Sequence, residues 1–149
     1  MAVPAVVRNG TLFFWNLSAN VGRSSPNKID DVQLVQLGYA CAAKDPSVDP
    51  KMRAIFALVV PGAPYSGLPN DPLTIAIVAD QKDRGGTQDG HISVLTNLAG
   101  GTYDGSHAFI IVGLNFSMRA AIPEAFPRID KHPQCPPQLR TVSIAACRG

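Results

Sequence analysis

The chain has 149 residues, of which 46% are hydrophobic and only 16% charged, with a formal net charge of +2. That length fits one domain with a core of its own, and the apolar content excludes a disordered chain. Charge this sparse, with no Lys or Arg stripe, excludes the electrostatic footprint of nucleic-acid binding, and no apolar run reaches the ~20 residues of a spanning helix.

The amino-terminal MAVPAVVRNGTLFFWNL is interrupted by Arg8, Asn9 and Gly10 and is followed by no small-residue cleavage site, so it is not read as a signal peptide. The expectation is synthesis in the cytosol, with delivery to the cell envelope or into an extracellular particle if the protein acts outside. Residues 3–17 instead read as a β-hairpin. AVVR and TLFFWNL flank Asn9-Gly10, a pair suited to the positive φ angles of a type I′ turn. Both faces of this hairpin are apolar, and a lone hairpin is marginally stable. Phe13, Phe14 and Trp15 must therefore pack on the body of the protein or on a protein partner.

A polar turn segment, residues 19–30, leads into a helix opened by Asp30 or Asp31, either of which suits the positive end of the helix dipole. Val32, Val35 and Tyr39 form one apolar stripe and Leu34, Leu37 and Cys41 another, so this helix is expected to be buried around most of its circumference. Asp49-Pro50 opens a second helix that Pro61-Gly62 should end, and Asp71-Pro72 opens a third that runs to about Arg84. Between them lies a proline-rich loop, PGAPYSGLPNDP. Gly85 fits a left-handed helix terminus, and Asp89-Gly90 a separate turn. Residues 92–99 read as a short helix or an extended piece. HAFIIVGLNF reads as a buried strand, SMRAAIPEAF as a short helix broken at Pro123, and LRTVSIAAC as a closing helix after Pro136-Pro137. The fold class is thus mainly α (α+β). It divides into a hairpin and linker (residues 1–26), a helical core (27–100) and an extension packed on it (101–149).

Several of these residues carry a resemblance. Asp31-Val32 and Val35-Gln36 in the first helix, then Ala76-Ile77, Gln81, Gly85 and Asp89-Gly90, with Thr96 beyond, follow the order of the three-helix peptidoglycan-binding domain of bacterial and phage wall hydrolases. The segment from Asn27 to about Ala99 resembles that family. The resemblance implies a three-helix core in which Gly85 and Asp89-Gly90 connect two helices, and a non-catalytic module that binds cell-wall glycan-peptide. The chain departs from the pattern in three places. Asp80 replaces a core Phe, so that side must be rebuilt or exposed. An Asp-Gly turn after the first helix is missing. Residues 45–70 are an insertion.

A sugar-peptide ligand wants aromatic faces and amide donors, which makes Gln36, Tyr39, Tyr65 and Gln81 the candidate ligand residues. A papain-like reading would take Cys41 as nucleophile, His107 as base and Asn115 as orienting group. Cys41, however, lies inside a helix on an apolar stripe, not at an exposed helix start. His91, His107 and His132 have no ligand spacing for a metal, even with Asp89 beside His91. The Gly pairs lack the strand and Lys-Ser/Thr of a phosphate loop. Glu124, the only glutamate, and Asp104 have no supporting motif for glycoside cleavage. No catalytic residue, metal or cofactor is expected. Cys135 and Cys147 would pair only in an oxidising compartment. The alternative function is a structural or adaptor subunit of a multi-protein assembly, such as a virion or contractile secretion device.

Overall fold

Alternating apolar residues around a turn pair extend into a hairpin. Strand β1 (Val3–Val7) pairs antiparallel with β2 (Phe13–Asn16), placing Val3 opposite Asn16 and Val6 opposite Phe13. The computed structural model describes residues 3–7, 13–95, 98–99, 102–103 and 110–148. The Asn9-Gly10 turn, Thr96, Asp104 and His107 lie outside the described residues. β1 also pairs in parallel with β6 (Thr102–Tyr103), which pairs antiparallel with β5 (Leu98–Ala99). The sheet order is therefore β2-β1-β6-β5, with β2 at one edge. A second, two-stranded sheet joins β3 (Val21–Gly22) to β4 (His91–Ile92). Its closeness depends on Gly22, at φ +123°, where an added Cβ would lie 2.2 Å from the Gly90 carbonyl oxygen. The stretch read as a polar turn thus contains a strand.

The helices make up most of the molecule, which is mainly α with some β. α1 (Ile29–Ala42) is buried at every position from Asp31 to Ala42, because its two apolar stripes leave no polar side. It packs most extensively on α4 (Ile110–Ala121) and next on α5 (Pro137–Arg148). Gly38 allows the close approach to α4, since a Cβ there would meet Leu114 Cβ at 2.7 Å. α2 (Pro50–Phe56) and α3 (Pro72–Asp83) pair with each other. Each begins as expected, with Asp49 accepting from Lys51 N–H and Asp71 from Leu73 N–H.

Four expectations need correction. The run read as a buried strand, HAFIIVGLNF, is helical from Ile110 onward. The buried residues Ile110, Ile111, Leu114, Asn115 and Met118 repeat at helical spacing while Phe116 and Arg119 face out, and Pro123 prevents the helix from continuing. Second, Gly85 (φ +73°) and Gly90 (φ +79°) do make their turns, but Asp89-Gly90 delivers the chain into β4 and not into a third helix. Third, neither Asp30 nor Asp31 caps α1, whose N-cap position is Lys28 with no side-chain cap. Asp31 turns back to accept from Ser18 N–H (3.0 Å), Ser18 Oγ–H (2.7 Å) and Ala19 N–H (3.2 Å), fixing the linker from the hairpin. Fourth, α2 stops at Phe56, short of Pro61-Gly62, and tighter turns follow in which Leu58 N–H donates to Ile55 O and Val59 N–H to Phe56 O. Pro61 disfavours helix only at Val60, so the earlier stop at Phe56 comes with these tighter turns.

Irregular segments carry unpaired backbone groups that must find partners when buried. Here side-chain amides supply them. Asn115 accepts from Trp15 N–H (2.6 Å) and donates to Trp15 O (2.8 Å), completing the edge of β2. Asn16 does the same for Leu95 (2.8 and 3.0 Å), and Asn27 for Gly22 (2.7 and 2.9 Å). Gln36 holds Gly62 N–H and Ala63 O (both 2.9 Å), and Gln81 holds Gly90 N–H (3.0 Å) and His91 O (2.8 Å). Each amide presents one acceptor and one donor to main chain, as a neighbouring strand would.

Candidate functional site

The four candidate ligand residues are not brought together. Gln36 and Gln81 have both ends of their amides committed to backbone. Tyr39 is fully enclosed, its ring against Phe56 at 4.7 Å between centroids. Its hydroxyl donates to Asp80 Oδ2 at 3.1 Å. Burial, with the Asp80 charge second, pushes the Tyr39 phenol well above its ordinary pKa, so it stays protonated. These three act as structural partners, because a buried helix requires its polar side chains to be paired. Tyr65 is different: it is half-buried, bonds Thr74 Oγ1 through its hydroxyl at 2.6 Å, and leaves part of its ring on the surface.

Asp80, whose surroundings were expected to be rebuilt or exposed, is buried. Its carboxylate accepts from Tyr39 and from Arg84 Nε at 2.8 Å, so the buried charge is paired with a guanidinium and a phenol. Val32, Ala76 and Ile77 lie in the core. Gln81, Asp89 and Gly90 form one hydrogen-bonded unit. Gln81 Nε2 donates to Asp89 Oδ1 at 2.8 Å, while Asp89 Oδ1 also accepts from His91 N–H at 3.1 Å. Burial alone would raise the Asp89 carboxyl; the bonds from His91 and Gln81 outweigh it and hold it below the ordinary range.

Among the described residues, three concavities of about 290 Å³ or more are open to ligands. One of about 340 Å³ is lined by Gln81, Arg84, His91, Ile92, Ser93 and Ile110. Another, about 420 Å³, lies between α2, α3 and α4, with Met52, Leu114 and Phe116 among its walls and Asp45, Asp49, Asp80, Asp83 and Arg84 as its charged lining. Three of those carboxylates already have structural duties, Asp80 with Tyr39 and Arg84 among them. Asp49 caps α2, and Asp45 accepts from Ser47 N–H, Ser47 Oγ and Ser117 Oγ. The third, about 290 Å³, lies where the proline loop meets the start of α1 and of α5. Asn27, Val32, Gln33, Pro64, Tyr65 and Gln138 contribute to its lining, and none of its lining residues is charged. Gln33 and Gln138 escaped sequence reasoning because their pairing, Gln33 Nε2 donating to Gln138 Oε1 at 2.6 Å, spans 105 residues.

Of the described groups weighed for catalysis or metal binding, His91 lines the 340 Å³ concavity, while Cys41 and Asn115 are buried and constrained. Cys41 is buried in the middle of α1, and burial pushes its thiol up to about 12. A thiol nucleophile acts as thiolate, so Cys41 has the wrong surroundings for that role. Asn115 is committed to Trp15. His91 Nδ1 sits 3.4 Å from Asp89 Oδ1, and His132 accepts from Gln134 N–H. Burial lowers the His132 pKa. Among the described residues, no three His, Cys, Asp or Glu side chains gather in a metal-holding group, and no helix is long and apolar enough to cross a membrane. Cys135 is buried and Cys147 exposed, each a free thiol. Phe14 and Trp15 are core residues. Phe14 meets Phe116 edge-on at 5.3 Å, and the Trp15 indole donates to Pro127 O at 2.8 Å. Those two rings therefore face the body of the protein and offer nothing to a partner.

No protein-family model matches the chain, and no curated protein or solved structure is significantly similar to it.

Proposed function

We propose that this chain is a non-catalytic binding module directed at bacterial cell-wall glycan-peptide, of the peptidoglycan-binding kind. The observation that carries the proposal is the Gln81-Asp89-Gly90 unit. Three of the residues that carry the resemblance interlock, Gln81 bonding Asp89 and Gly90 and also His91 O, with Gly85 and Gly90 in the left-handed conformations their places require. A joint order of residues that has a joint mechanical role supports kinship better than the same residues scattered. The strand after Gly90 marks a departure from a plain three-helix bundle. Purified cell-wall sacculi test the proposal. The protein should sediment with them and stay in solution with an equal mass of cellulose; recovery in the supernatant in both cases rejects it.

A second reading, a structural or adaptor subunit of a particle or secretion device, is favoured by a specific surface. Leu58, Val60, Leu68 and Ile75 are large apolar side chains left exposed around the proline loop and α3. Native mass spectrometry of the purified chain tests it: self-assembly or a stoichiometric complex supports it, and a monomer at all concentrations counts against it.

A further inference from the structure

We propose that the uncharged groove beside Tyr65 is a sugar subsite that takes an N-acetylated hexosamine of the glycan strand, leaving the peptide stems outside it. This rests on the cell-wall reading and says which part of the polymer is held and where. A wall polymer offers two chemistries. Peptide stems carry carboxylates and amines, which require opposite charge on the protein when they lose water. Glycan strands offer neutral hydroxyls, acetamido groups and apolar ring faces. The groove matches the second, because no charged side chain lines it. The two larger concavities do not match it: one is lined by four aspartates and Arg84, the other by Arg84 and His91.

The groove has the parts such a ligand needs and holds them still. Sugar sites combine an aromatic or apolar wall with a few fixed polar groups. The wall is the Tyr65 ring with Pro64 and Val32. Tyr65 is fixed at its far end by Thr74. The loop just before it is clamped by Gln36 at Gly62 and Ala63. The loop just after it is clamped by Asp71, which accepts from Ser66 N–H and Ser66 Oγ, both at 3.0 Å. Gln33 is locked by accepting from Leu139 N–H at 2.9 Å while donating to Gln138. Gln138 uses its carbonyl oxygen in that bond. Its amide N–H₂, on the exposed first turn of α5, is left for an acetamido carbonyl. A surface ordered before binding has less conformational entropy to lose.

The test is a ¹⁵N NMR titration of the whole chain with the β-1,4-linked trimer of N-acetylglucosamine, run beside the sacculus sedimentation. The expected result is shifts confined to Gly62, Ala63 and Tyr65 amides and to the side-chain amides of Gln33 and Gln138. Tyr65→Ala should weaken trimer binding by about tenfold or more, and Tyr65→Phe by less than about threefold, because the ring face and not the hydroxyl meets the sugar. Gln138→Trp, an exposed position whose new ring fills the groove, should weaken it by about tenfold or more and guards against an unfolded Tyr65→Ala. Sacculus retention with no trimer shifts at the groove, or with all three variants binding like the parent, overturns this subsite and leaves the wall reading standing. Loss of both sacculus and trimer binding in the unaltered protein overturns the two together.

Discussion

Asn115→Leu isolates the role given to the buried amides. In the native protein Asn115 is 1% exposed and satisfies both main-chain groups of Trp15, an edge-strand residue with no other strand on that side among the described residues. Leucine keeps the branched outline of the side chain, with somewhat more bulk and a better helix propensity, but provides neither donor nor acceptor. Two buried backbone groups lose their partners at about 1–3 kcal/mol each, or about 2–6 kcal/mol together. Removing a desolvated amide from the core offsets about 1 kcal/mol. The third bond, to Ile111 O at 2.8 Å, is a minor loss because that carbonyl lies within the helical ladder. A net cost of about 3 kcal/mol is a large part of the ~5–15 kcal/mol that holds a domain together. For a chain of this size it lowers Tm by about 6–12 °C. Circular dichroism melts of Asn115→Leu and of Arg119→Ala, on the exposed face of the same helix, provide the comparison. The Arg119 variant should stay within about 2 °C of the parent. An Asn115→Leu melt equally close to the parent would show that the amide does not stand in for a strand.

The remaining predictions concern thiols, helix contact and acid. With burial holding Cys41 up to about 12 and Cys135 up to about 11, and with Cys147 exposed, a thiol reagent at pH 8 should modify Cys147 first and spare the other two until unfolding; fast labelling of Cys41 would revive a thiol-hydrolase reading. Gly38→Ala should destabilise in urea titration, because overpacking against Leu114 costs about 1–3 kcal/mol while helix propensity contributes at most about 1 kcal/mol in return; a more stable variant would mean α1 and α4 are not in contact there. Arg128, donating to Asp130 at 2.8 Å from both Nε and Nη2, holds that buried carboxyl below its ordinary value of 3.8. A depressed folded pKa gives stability that is complete above the unfolded value and lost as pH falls through the folded one. Urea midpoints should therefore decline below about pH 4, and less steeply in Arg128→Ala; identical slopes would remove Asp130 from the acid response.

What was legible in the sequence was local. Asp49-Pro50 and Asp71-Pro72 marked helix starts because a cap and its N–H lie two residues apart. Gly85 and Gly90 marked positive φ because few other residues adopt it. The all-round burial of α1 followed from its two stripes. What was not legible depended on partners distant in the chain. Ile110-Ile111-Val112 has the composition of a strand, and only the reach to Met118 reveals a helical period. Gln36 and Gln81 have the chemistry of ligand residues, and nothing near them in sequence shows that Gly62 or Gly90 takes up that chemistry. Asp80 fits no local pattern until Tyr39, 41 residues earlier, is beside it. The groove at Tyr65 joins three separate segments, so only Tyr65 itself was found in advance.

The central claim, that this amide-fastened body grips the sugar strand of a bacterial wall, is met most directly by competition. Radiolabelled protein bound to purified sacculi is eluted with increasing amounts of the N-acetylglucosamine trimer or of free stem peptide. The account predicts release by the trimer and none by the peptide. Release by the peptide alone would contradict it.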